Sequence, residues 1–282
     1  MENNNNANQM SNMDTYARMF YVSDPLREPV LRKVIRSLQL PPGSRGLDAG
    51  CGIGLQSLLL AREVGNDGHI TGLDMSAEYL VHAKKIAEKF ELGEQITFKQ
   101  GDVNRLPFND NTFDWAWSVD CVGYAPMEPL PSLKELVRVV KPGGFVTVLF
   151  WSSQNLLPGY PLLEARLNAT AAGIAPFTQG KNPNLHFMRL LGWFREAGFQ
   201  DCKAQTFISD VCAPLPEDMR CALTALFQMR WGEAQSEVSS KDWRQYQRLC
   251  QTGSKDFILN LPDYYAFFTY SLFHGKVRNK TI

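Results

Sequence analysis

The stretch RGLDAGCGIGLQSLLLA, residues 45–61, passes from a short apolar segment through a turn with glycines at 50, 52 and 54 into a helical pattern. Such a turn lets a ligand approach the backbone closely. The dinucleotide fingerprint G-x-G-x-x-G would place its third glycine where this chain has Leu55. That departure, with the acidic Asp48 just before the loop, argues against a nicotinamide cofactor and its phosphates. No G-x-x-x-x-G-K-[ST] sequence is present either. The loop therefore suits a ligand that it holds without phosphates. Six cysteines (51, 121, 202, 212, 221 and 250) form no C-x-x-C pair, and the four histidines (69, 82, 186 and 274) are far apart in sequence. No metal site is expected from them.

The elements that must position the turn alternate. Residues 14–40 are helical, with Leu31, Val34, Ile35 and Leu38 on one face. Strands are expected at 45–49, 69–74, 95–102, 112–120 and 145–151, separated by helices. Ser76 is the expected N-cap of one of these, and the run KPGG (141–144) closes another. Strands alternating with helices predict a doubly wound, Rossmann-like α/β fold, parallel for the most part. In the second half a helix over 186–199, begun by His186, leads into a strand near 202–211. Two helices follow over 216–252, the second capped by Ser240 with Trp243, Tyr246, Leu249 and Cys250 inward. The last strand, 264–277, completes seven strands, running antiparallel, with the helices before it forming an inserted cap. The expected division is a disordered polar tail (1–13), a helical lid (14–40), a core (41–212), a cap insertion (213–262) and a final core strand (263–282).

Hydrophobic residues make up 44% of the 282 positions and charged residues 21%, enough for a sizeable core. Lys+Arg and Asp+Glu are both 29, so no overall field steers the chain to nucleic acid or anionic lipid. No apolar run approaches the ~18 residues of a membrane span. The N-terminus MENNNNANQM lacks the apolar core of a secretory signal, so a cytoplasmic setting with reduced thiols is expected.

LDAGCGIG (47–54) resembles the first motif of the class I S-adenosylmethionine (SAM) dependent methyltransferases. Three further stretches match that family in order. Asp74 ends the second strand about 20 residues beyond the loop, where a carboxylate can accept two ribose hydroxyls. GDVNRLPFNDNTFD (101–114) is similar to the family's G-D-x-x-x-L-P-F-x-D-x-x-F-D, and RVVKPGG (138–144) to its R-V-L-K-P-G-G, a structural turn into the fifth strand. The subgroup most resembled includes ubiquinone and menaquinone methyltransferases. The resemblance implies SAM as cofactor and S-adenosylhomocysteine as product. It implies that Asp48 supports the loop and that Gly50, Cys51, Gly52 and Gly54 pack against the methionine part. It further implies Asp74 and Met75 at the ribose, Asp102 and Val103 at the adenine, and Val119 at the end of the fourth strand. In related enzymes the N-terminal segment folds over the cofactor. Tyr16 and Tyr21 are therefore expected to meet the sulfonium, the alternative being a helix that simply packs on the core.

SAM carries its methyl group already activated, so positioning and exclusion of water do most of the work. No catalytic residue is assigned. Asp120, at the end of the fourth strand, is a candidate base or pocket-lining group, with helix capping as its alternative. Members of the subgroup often carry a histidine where this chain has Tyr124, which argues against a histidine-dependent mechanism. The segments 152–185 and 213–262 are rich in Leu, Met, Phe and Trp, which points to an apolar acceptor site and a small-molecule acceptor. No basic-aromatic stripe suggests nucleic acid, and no cysteine cluster suggests arsenite. The readings carried beside this one are a SAM-binding protein without methyl transfer and a nicotinamide-dependent oxidoreductase.

Overall fold

The computed structural model describes residues 15–124, 128–177 and 182–279; the expected polar tail lies outside them. Its first element, helix α1 (Thr15–Leu38), continues through Pro25 and Pro29. Each proline removes a helical N–H. Burial of Leu26, Val30, Leu31, Val34 and Ile35 holds the segment helical regardless. Strand β1 (Arg45–Ala49) and helix α2 (Leu55–Val64) flank the glycine turn. Strand β2 (His69–Asp74), helix α3 (Ala77–Lys89) and strands β3 (Ile96–Gln100) and β4 (Phe113–Val119) follow. Ser76 caps α3 as expected, its hydroxyl accepting from the Tyr79 N–H at 3.2 Å.

Helix α4 (Pro129–Val139) is followed at once by β5 (Val140–Asn155). Val140 already pairs with Phe113, and regular pairing resumes at Trp115 with Phe145. Residues 141–144 are therefore a bulge inside a strand, and not the turn between helix and strand that their composition suggested. Gly144 permits it: a Cβ there would stand 2.3 Å from the Asp114 carbonyl oxygen.

The rest comprises α5 (Pro161–Asn168), α6 (Leu190–Ala197), β6 (Gln200–Cys212), α7 (Glu217–Trp231), α8 (Ser240–Cys250) and β7 (Tyr265–Lys276). Helix α6 is shorter than expected. His186 caps a 3₁₀ turn, Phe187–Arg189, through its Nδ1, and α6 follows that turn. Ser239 caps α8 in place of Ser240, and Trp243 is only half-buried.

The seven strands form one sheet in the order β3-β2-β1-β4-β5-β7-β6, with β7 antiparallel to both neighbours. Helices cover both faces. Along β4, Trp115, Trp117 and Val119 join the core beneath α1, α2 and α7, while Phe113 and Ala116 join the one beneath α4 and α6. Helix α7, inserted between the last two strands, packs along α1. These two helices stand over the carboxyl ends of β1, β2 and β4, the edge at which doubly wound folds bind ligands.

Candidate active site

The turn after β1 is anchored to the end of β2. The N–H groups of Gly50 and Cys51 both donate to the Leu73 carbonyl, at 2.8 and 2.9 Å. Gly50 has φ +80 and Gly52 φ +55, the left-handed region that favours glycine. A Cβ on Gly50 would meet Cys121 Sγ at 2.3 Å, whereas nothing lies within 4 Å of one on Gly52. The Gly52 N–H donates to Asp74 Oδ2 at 2.8 Å, and the Ser76 N–H donates to Oδ1 at 2.9 Å. Asp74 thus joins the turn to the start of α3.

Asp48 lies behind the turn, 1% exposed, and accepts the Ser57 hydroxyl of α2 at 2.6 Å. Burial pushes its carboxyl up to about 7, opposed by the Ser57 hydrogen bond and reinforced by the nearby Asp74 charge. A pH-dependent stability follows. Below about pH 4 both folded and unfolded chains hold this proton. Between there and about 7 the unfolded chain has released it while the fold retains it, so stability falls as pH rises. Above about 7 the loss levels off. Asp48→Asn should flatten this slope, as read by urea unfolding of both proteins at pH 5 and pH 8. An unchanged difference between the two pH values would place the slope elsewhere.

A cavity of about 560 Å³ opens from the turn. Its wall begins with Gly50, Cys51, Gly52 and Ile53, and continues through Asp74 and Tyr79. One face of α1 closes it with Met19, Phe20, Ser23, Leu26 and Arg27, while Leu226, Met229 and Arg230 of α7 contribute the side away from the turn. Phe20 meets Tyr79 edge-on at 6.4 Å, and the Arg27 guanidinium lies 5.9 Å from the Phe20 ring.

The far end is polar and interlocked. Arg27 donates from Nε to the Tyr270 hydroxyl at 2.8 Å and from Nη2 to Asp120 Oδ2 at 3.1 Å. Asp120 Oδ1 accepts the Trp151 N–H at 2.9 Å. Burial raises the Asp120 carboxyl above the ordinary range, offset in part by Arg27, the Trp151 N–H and Arg230. Burial likewise holds Tyr124 protonated, pushed up to about 12 with help from the Asp120 charge. Asp120 has φ +48 and caps no helix; it binds α1, β5 and β7 together.

Of the residues singled out in the sequence, Gly50, Cys51, Gly52, Asp74, Val119, Asp120 and Tyr124 line this cavity. Asp48 and Gly54 lie behind it, and Met75 points outward, 66% exposed. Asp102 and Val103 stand outside the wall. Asp102 is exposed and accepts the Asn104 N–H at 2.8 Å. It nonetheless adjoins the site, because the Gly101 N–H donates to the Asp74 carbonyl at 3.0 Å. Tyr21 packs against the core, so the aromatic that α1 presents to the cavity is Phe20. The side chain of Tyr16 lies outside the described residues. His186 is absent from the wall and stacks on Phe187 at 4.5 Å.

Sequence reading missed Arg27, Tyr270, Arg230 and Ser57, none of which belongs to a local motif. It also missed that Cys51 and Cys121 share one wall. Burial, reinforced by the charges of Asp48 and Asp74, raises both thiols, Cys121 to about 12, so neither is a ready thiolate.

Fold and site together define a Rossmann-like protein with a cleft at the carboxyl edge of its sheet. Residues 47–144 match the family model described as a methyltransferase domain. The demethylmenaquinone methyltransferase of Bacillus mycoides (strain KBAB4) is 32% identical over 216 residues, covering 71% of this chain and 89% of that one. The chain belongs to the class I SAM-dependent methyltransferases. Among solved structures, a SAM-dependent methyltransferase from Aquifex aeolicus aligns with TM-score 0.50 at 22% identity, over 67% of this chain and 90% of that one. The [4+2]-cyclase SpnF aligns with TM-score 0.52 at 22% identity, over 89% of this chain and 81% of that one. The fold is thus shared with a cyclase, and it is the sequence relatives that identify the family. Among the described residues no helix is long and apolar enough to cross a membrane.

Proposed function

We propose that this methyltransferase acts on a small, partly apolar metabolite held between the glycine turn and α7. The observation carrying this reading is that one cavity runs from Gly50–Ile53 to Leu226 and Met229, so cofactor and acceptor would share an enclosed space. At about 560 Å³ it has the size of a small-molecule site and not of a groove for a polymer. That a relative is named a demethylmenaquinone methyltransferase supports an apolar acceptor.

The residues present suit SAM. Open space stands where Gly52 lacks a Cβ, so the backbone can be approached there. Gly54 is the N-cap of helix α2 and offers no side-chain cap, leaving the helix's first N–H groups for a carboxylate such as that of the methionine part. Each Asp74 oxygen accepts one backbone N–H and keeps a lone pair for a ribose hydroxyl. Asp102, exposed next along the same edge, would meet the adenine. When bound, the cofactor supplies a methyl group on a positively charged sulfur.

The protein's own residues orient and enclose. Phe20 and Leu26 cover the cavity from α1, and Arg27 locks that helix to the sheet through Asp120 and Tyr270. Asp120 positions Arg27 through Oδ2 and lines the cavity, which is the pocket-lining one of its sequence readings. Incubation of purified protein with methyl-labelled SAM and a cell extract should put label into a compound that partitions into organic solvent. Label confined to protein or nucleic acid would overturn the small-molecule reading.

A further inference from the structure

We infer that the acceptor carries an oxyanion on its apolar body and that Arg230 binds this group; the inference rests on the cavity being the acceptor site. The charges around the wall are unequal in their commitments. Asp120 is ion-paired with Arg27 at 3.1 Å and acts on Arg230 only at longer range, and Asp74 is held by two backbone N–H groups. Arg230 makes no hydrogen bond or ion pair to a described residue, and its Nε is buried without a partner. A buried guanidinium nitrogen left unpaired is a substantial penalty unless a ligand completes it.

Its setting suits a bound anion. The Arg230 guanidinium lies 5.7 Å from the Trp151 ring centroid, and Trp151 stacks on Phe268 at 4.3 Å, so the cation rests on a rigid platform. Leu226, beside it in the wall, is 2% exposed and makes the surroundings apolar on that side, which strengthens any charge pairing. Tyr124, protonated at neutral pH and lining the same space, offers a second donor. Carboxylates and enolates share this chemistry, and the planar fork of arginine can donate to either.

Two probe pairs separate them: 2-naphthoate against 2-naphthamide, and 4-hydroxycoumarin, ionised at neutral pH, against its neutral 4-methoxy ether. Each is titrated into the protein saturated with S-adenosylhomocysteine. At least one anion should bind about 30-fold more tightly than its neutral partner. Arg230→Met, which keeps an unbranched apolar chain at this position, should abolish that preference while leaving S-adenosylhomocysteine affinity and the neutral probes unchanged. Arg230→Lys should recover part of it. A preference only for 2-naphthoate assigns a carboxylate, and only for 4-hydroxycoumarin an enolate. No preference in the native protein, or one that survives Arg230→Met, overturns the inference. Failure of S-adenosylhomocysteine to bind at all would instead strike at the cofactor site.

Discussion

Replacing Asp74 by Ala should weaken S-adenosylhomocysteine binding about 100-fold in calorimetric titration, the change in ΔG being about 3 kcal/mol. The carboxylate already accepts the Gly52 and Ser76 N–H groups, at 2.8 and 2.9 Å, so its orientation is set before any ligand arrives. Two ribose hydroxyls would then donate to a charged acceptor, each such bond being worth roughly 1.5–3 kcal/mol. Asp74→Asn keeps one acceptor oxygen in place and loses the charge, and should fall between wild type and the alanine variant. In the alanine variant the Gly52 and Ser76 N–H groups lose their acceptor as well, so stability in urea titration should fall by roughly 1–3 kcal/mol. Binding by Asp74→Ala within about threefold of wild type would remove the ribose from this end of the cavity.

Gly50→Ala should destabilise the fold by about 3 kcal/mol in urea titration and abolish cofactor binding at the same time. Two effects add. At φ +80 a side chain costs roughly 1–2 kcal/mol of backbone strain. The new methyl group would also fall 2.3 Å from Cys121 Sγ and 2.5 Å from its Cβ. Overpacking of that kind costs roughly 1–3 kcal/mol. Removing the sulfur by Cys121→Ala should rescue only a fraction, because the Cβ remains in place. Full rescue would mean that the turn is soft and that the strain has been misjudged.

Elements and motifs close together in the chain were legible for local reasons. The glycine spacing, the strand-ending Asp74 and the Ser76 cap each depend on a handful of consecutive residues, and each stands where its chemistry demands. KPGG misled because proline and glycine suit a helix end and a strand bulge equally well. The pairing of Val140 with Phe113, which decided between them, joins residues far apart in sequence. Ser239 caps α8 because Asp242, three residues on, exchanges hydrogen bonds with it at 2.7 and 3.1 Å, a local pairing that Trp243 cannot offer Ser240.

The same division runs through the cavity. One residue along α1 is about 100° of rotation, so three nearby aromatics could not reveal which one faces inward; packing of the helix against α7 and α2 presents Phe20 and turns Tyr21 to the core. By itself the sequence determined the alternating fold, the family and the glycine-turn end of the cavity, because turn chemistry and hydrophobic period act over short range. Tertiary structure alone decided the opposite end, where Arg27 meets Asp120 from 93 residues away and Tyr270 from 243. Charges that pair across such distances leave no periodic trace, since burial selects them only after the helices have closed over the sheet.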